Sequence, residues 1–110
     1  MTNSKLNFRK RITTTKLIVN TLDTGCKSVG EYFCLCRKKG ELDTGYHYFI
    51  TEGGFIEADR NEEAIAGWNL PDNETSIYIL VNGKSCSDAQ QVSLEELLST
   101  LHNKYKDVKE

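Results

Sequence analysis

Apolar residues along this chain come in short bursts, and the period inside each burst points to an element. Residues 12–21 are dense in Ile, Thr and Val, which favours a strand. Residues 29–38 alternate Val29, Glu31, Phe33, Leu35 and Arg37 with Tyr32, Cys34, Cys36 and Lys38. That pattern predicts a second strand, buried on both sides near its middle. Residues 38–45 read as a hairpin connection, 46–51 and 55–58 as strands joined by the turn Gly53-Gly54, and 77–81 as the central strand, ended by Asn82-Gly83. Two stretches read as helix. Asp59 as N-cap with Glu62 three residues on starts a short one, which Gly67 and Pro71 close. The other starts at Ser93 with Glu96, and Leu94, Leu97, Leu98, Leu101 and Tyr105 form one apolar stripe. The expected fold is therefore α+β. It has a mostly antiparallel sheet of about five strands, with a short central helix and a C-terminal amphipathic helix packed on one face.

Composition bounds this picture more than it alters it. The 110 residues, 38% hydrophobic with a single proline, fit one domain spanning residues 1–110. No apolar run approaches a membrane span and no secretory leader is evident, so the cytoplasm is the expected location. In a reducing compartment Cys26, Cys34, Cys36 and Cys86 read as buried thiols. As strand neighbours, Cys34 and Cys36 would share a face. The zinc spacings C-x2-C and H-x3-H are missing, and neither a metal nor any other cofactor is expected.

Charge changes the picture. Residues 1–40 hold nine basic and two acidic side chains, and residues 41–110 hold five basic and fourteen acidic, within a net charge of −2. Such a split points to a charged partner more readily than to a small-molecule pocket. Glu52, Glu57, Asp59, Glu62 and Glu63 fall within twelve residues. They predict an acidic surface that binds and inhibits a basic protein, as toxin-immunity and phage anti-defence proteins of this size do. No nucleotide-binding glycine motif or nucleophile signature accompanies them, and a non-enzymatic protein is expected. The alternative is nucleic-acid binding through Arg9, Lys10, Arg11 and Lys16. A third reading has the opposite charges pairing with each other across the fold.

The tetrapeptide Leu-Asp-Thr-Gly occurs twice, at residues 22–25 and 42–45. The run 17–25, with Gly53-Gly54-Phe55-Ile56 and Val81-Asn82-Gly83, resembles the active-site loop, flap tip and apolar-glycine segment of retroviral-type aspartic proteases. That resemblance implies a second alternative, a dimeric protease in which each chain gives Asp23. Thr21, Cys26 and Asn82 depart from the pattern. Asp-x-Gly is also an ordinary turn signature, and the turn is the reading preferred here.

Overall fold

The computed structural model describes residues 9–110. The elements run β1 (Lys16–Leu22), α1 (Val29–Lys38), β2 (Tyr48–Ile50), β3 (Ile56–Ala58), β4 (Ser76–Asn82) and α2 (Asp88–Lys104). The four strands form one sheet in the order β1-β4-β2-β3. β4 lies parallel to both β1 and β2, and only the short β2–β3 pair is antiparallel. The sheet is thus mixed and mostly parallel, which corrects the expectation of five mostly antiparallel strands. Parallel neighbours cannot be joined by hairpins, so longer connections carrying helices must cross the sheet.

Those crossovers also put the helices on opposite faces, not on one. Leu17, Ile50, Ile77, Ile79 and Val81 turn toward α2, where Leu94, Leu97 and Leu101 meet them. Phe49, Tyr78 and Leu80 turn the other way, toward Val29 and Tyr32 of α1. With both faces covered, every residue of β4 is buried, as a central parallel strand requires. Each fully buried leucine on α2 contributes about 2 kcal/mol of apolar burial.

Residues 29–38 form a helix where alternation suggested a strand. The reason lies at the helix start. The Ser28 hydroxyl accepts the Glu31 N–H at 3.2 Å, the Glu31 carboxylate takes the Lys27 N–H at 3.1 Å, and the Glu57 carboxylate takes the Val29 N–H at 2.7 Å. The helix then sorts the cysteines apart: Cys36 is buried and Cys34 exposed. Burial pushes the Cys36 thiol up to about 11, so it is an inert core group. Cys26 is half-buried and Cys86 exposed, so of the four thiols expected to be buried only Cys36 is fully so.

Residues 59–67, expected as a helix, are a loop, because Asp59 and Arg60 are engaged elsewhere. The last helix begins at Ser87, not Ser93, with a reciprocal capping box between Ser87 and Gln90. Gln90 is buried and donates to the carbonyls of Ile50 and Asn82, fixing α2 to the sheet. No helix among the described residues is long and apolar enough to cross a membrane.

Ser76, at the start of β4, is fully buried, and its hydroxyl has no hydrogen-bond partner among the described residues. A buried hydroxyl without a partner is a net cost. Ser76→Ala should therefore stabilise the fold by about 1 kcal/mol, raising the thermal midpoint by about 4 °C. An unchanged or lower midpoint in a calorimetric scan would show that the hydroxyl is satisfied after all.

Candidate functional site

The two Leu-Asp-Thr-Gly segments fold alike. In each, the aspartate carboxylate accepts the glycine N–H, Asp23 from Gly25 at 3.3 Å and Asp43 from Gly45 at 2.9 Å. In each, the threonine hydroxyl accepts the N–H two residues on, from Cys26 and from Tyr46. Both glycines sit at positive φ, 75° and 81°, the reason glycine ends the tetrapeptide. Their anchors differ. Thr24 donates to the Asn82 side-chain Oδ1 at 2.7 Å, whereas Thr44 donates to Asp59.

Around the second turn lies a cleft of about 340 Å³ between residues 41–46 and residues 65–70, with Tyr32 on α1 and Arg60 completing its lining. Its two walls share one clamp. Arg60 donates to Asp43 through Nε at 3.0 Å and Nη2 at 2.6 Å, and through Nη1 to the Ile65 carbonyl at 2.9 Å. Both partners are buried, so this fork is a bidentate pair shielded from water. Gly45 and Gly67 meet where the walls join. A Cβ on Gly67 would lie 2.9 Å from the Gly45 Cα, so only glycine lets the backbones approach. Trp68 and Leu42, on opposite walls, are largely exposed.

Tyr46 connects the cleft to the carboxyl end of β1. Asn20, half-buried on the α1 face, donates through Nδ2 to the Tyr46 hydroxyl at 2.9 Å. The Tyr46 ring packs edge-on against Tyr78. Beside it, His47 is fully buried. Its Nδ1 accepts the Tyr78 N–H at 3.0 Å and its Nε2 donates to the Ala64 carbonyl at 2.8 Å, which fixes the tautomer. Burial, reinforced by Arg11 and Arg60, lowers its pKa to about 4, so the ring is neutral and structural. Among the described residues no three His, Cys, Asp or Glu side chains converge in a way that could hold a metal ion.

Over 93% of its length the chain is 32% identical to the endolysin of Enterobacteria phage T3, spanning 76% of that protein. This chain belongs to the phage endolysin family. The endolysin of Escherichia phage T7 matches the same share of this endolysin-family chain at 30% identity. No protein-family model matches. Among solved structures, the N-acetylmuramoyl-L-alanine amidase LysC of Clostridium intestinale superposes with a TM-score of 0.74 at 23% identity, over 94% of this chain and 78% of its own. Manduca sexta Peptidoglycan Recognition Protein-1 gives 0.76 at 18% identity, over 94% and 67%. The fold is the one these amidases and recognition proteins share. These comparisons overturn three expectations: an inhibitor of the immunity or anti-defence type, a non-enzymatic protein, and a basic protein as partner. They equally exclude the retroviral-protease alternative, whose fold this is not; Asp23 is an exposed turn residue.

Most of the charged residues singled out in the sequence are engaged within the fold, and only the Lys10 and Glu63 side chains pair with one another. Glu57 caps α1, and Asp59 takes Thr44. Glu62 accepts from Tyr48, from Tyr105 at 2.7 Å and from Lys104 at 2.7 Å. Glu63 pairs with Lys10 at 3.4 Å, and Glu52 is exposed beside the start of α2. Of the basic group, Arg9 pairs with Glu74 at 3.2 Å and Lys16 with Asp72 at 2.7 Å. Arg11 turns inward to the carbonyls of Glu62 and Ala64 and over the Tyr105 ring. The sequence reading missed Asn20, Tyr46, Arg60 and Trp68. Only Trp68 carried a visible signal, a tryptophan set among Gly67, Asn69 and Pro71, where a core-facing ring is unexpected.

Proposed function

We propose that this chain acts on bacterial peptidoglycan, and that its target is the amide joining the glycan strand to the stem peptide. The observation that carries the reading is the 32% identity to a phage endolysin across nearly the whole chain. The amidase fold and a preformed cleft lined by Tyr46, which Asn20 of β1 holds by its hydroxyl, support it.

Amide hydrolysis near neutral pH needs a nucleophile or a metal-activated water. A catalytic zinc takes three ligands from His, Cys and carboxylate side chains. Asn20 and Tyr46 offer an amide and a phenol instead, and the nearby His47 has both ring nitrogens engaged in the core. The described residues do not fit such a metal. Their contribution is recognition. With Asn20 Nδ2 donating to Tyr46, the Asn20 oxygen is left as an acceptor and the Tyr46 hydroxyl proton as a donor, side by side. That pair complements the N–H and C=O of an amide group.

Purified peptidoglycan sacculi provide the test. The protein should pellet with them; where the sacculi are also cut, the cut is at this amide, read by mass spectrometry as soluble stem peptide with new alanine amino termini and no new reducing sugar ends. Asn20→Ala and Tyr46→Phe should each weaken pelleting by about tenfold, the scale of one buried hydrogen-bond partner lost. A protein that stays in the supernatant and releases nothing would overturn the proposal.

A further inference from the structure

We infer that Trp68 is a stacking platform for a sugar ring, and that the cleft beside it takes the glycan part of its ligand. The inference rests on the peptidoglycan reading and deepens it. Trp68 is 85% exposed, the most exposed ring among the described residues; Phe55, at 73%, is also exposed but lies on the β2–β3 turn, away from the cleft. It stands on a wall held in place from several sides. The Leu70 N–H bonds the Gly67 carbonyl, the Gly67 N–H bonds the Gly45 carbonyl, and the Ala66 N–H bonds the Asn73 carbonyl. Arg60 fixes Ile65 on the same segment and Asp43 on the facing one. A ring presented in this way loses little freedom when it meets a ligand.

The chemistry of the cleft selects the occupant. A pyranose ring has one face of C–H groups, which lies flat on the electron-rich face of an indole, while its edge carries hydroxyls that need polar partners. The cleft supplies both: Trp68 and Leu42 are the exposed apolar groups of its two walls, with Glu41, Thr44 and Asn69 as polar lining. The lining carries Glu41, and its one cation, Arg60, is buried and committed to Asp43, which favours an uncharged ring over a phosphate or an acidic peptide.

Trp68 is the only tryptophan in the sequence, so its fluorescence reports this site alone. The full chain should be titrated with the N-acetylglucosamine tetramer and, separately, with free stem peptide. The tetramer should shift Trp68 emission to shorter wavelength in a saturable way, and the peptide should not. Trp68→Ala should weaken pelleting on sacculi by about tenfold, the scale of one aromatic stacking contact, and Trp68→Tyr should retain most of it. The unfolding midpoint should hardly move, since the side chain is exposed. Unchanged emission with the tetramer, a shift produced by the peptide alone, or undiminished pelleting of Trp68→Ala would each overturn the inference. Wild-type protein that fails to pellet would instead overturn the peptidoglycan reading, while the tetramer titration still decides whether Trp68 takes a sugar.

Discussion

Arg60→Ala should cost about 3–5 kcal/mol of folding stability, the largest loss expected from any single charged side chain in the molecule. The pair it forms with Asp43 is bidentate and almost fully removed from water, with the two side chains 4% and 7% exposed. Truncating the arginine leaves the Asp43 carboxylate buried beside only the Gly45 N–H, and frees the Ile65 carbonyl as well. Asp43→Ala removes the carboxylate that neutralises the buried guanidinium, which keeps its bond to the Ile65 carbonyl. The loss in either single variant is mainly the penalty of the abandoned charge, so the double variant should cost far less than the sum of the two. Urea unfolding of all four proteins gives the coupling directly. Additive losses of less than about 1 kcal/mol each would mean that the pair behaves like a surface ion pair and that the cleft walls are held by something else.

The second large effect is with pH. His47 is neutral in the fold, with its pKa lowered from 6.5 to about 4, chiefly by burial. A lowered histidine pKa means that the unfolded chain binds the proton first. Above pH 6.5 the full stability is present. As pH falls from 6.5 toward 4 the unfolded state gains a proton that the folded state refuses, and stability declines by about 3 kcal/mol. Below about 4 the folded ring is protonated too, which breaks its acceptance of the Tyr78 N–H. Glu62 adds to the acid loss only at lower pH. Burial pushes its carboxyl up, but hydrogen bonds from Lys104, Tyr48 and Tyr105 outweigh that and hold it below 4.5. Asp59 works the other way, because burial raises its carboxyl above the ordinary value and the fold takes up that proton first; the decline between 6.5 and 4.5 is carried by His47. Urea midpoints across that window should fall in the wild type and flatten in His47→Gln. An NMR titration showing the ring protonated at pH 6 would contradict the assignment even if the variant fails to fold.

What the sequence disclosed follows from how local each signal is. β4 and the stripe of α2 are written in consecutive residues, and the Gly53-Gly54 turn in two, so these were legible. The run 29–38 was not. Its apolar residues fit a period of two as well as a helix, and the deciding contacts come partly from Glu57, far along the chain. Asp59 and Glu62 match a capping box in type and spacing, yet Thr44, Tyr48 and Lys104 claim them first. The parallel strand order depends on crossovers, which leave no mark in any short window. The site was harder still. Asn20 lies in a run of β-branched residues and Tyr46 in a run of aromatics, so each reads as ordinary strand until the fold brings them to 2.9 Å. Arg60 looks like a loop cation until its carboxylate partner, seventeen residues earlier, is seen to be buried with it.

The ion pairs that join the basic first third of the chain to the acidic remainder, Arg9 with Glu74, Lys10 with Glu63 and Lys16 with Asp72, have a consequence for how this molecule meets its ligand. Opposite charges a few ångströms apart cancel one another's field within a Debye length of about 8 Å at physiological salt. At these three places the dipole read along the sequence is cancelled at close range. The pairs add little to any long-range attraction of the ligand, and an encounter on this face is decided on contact, by whether the shape presented at the cleft fits.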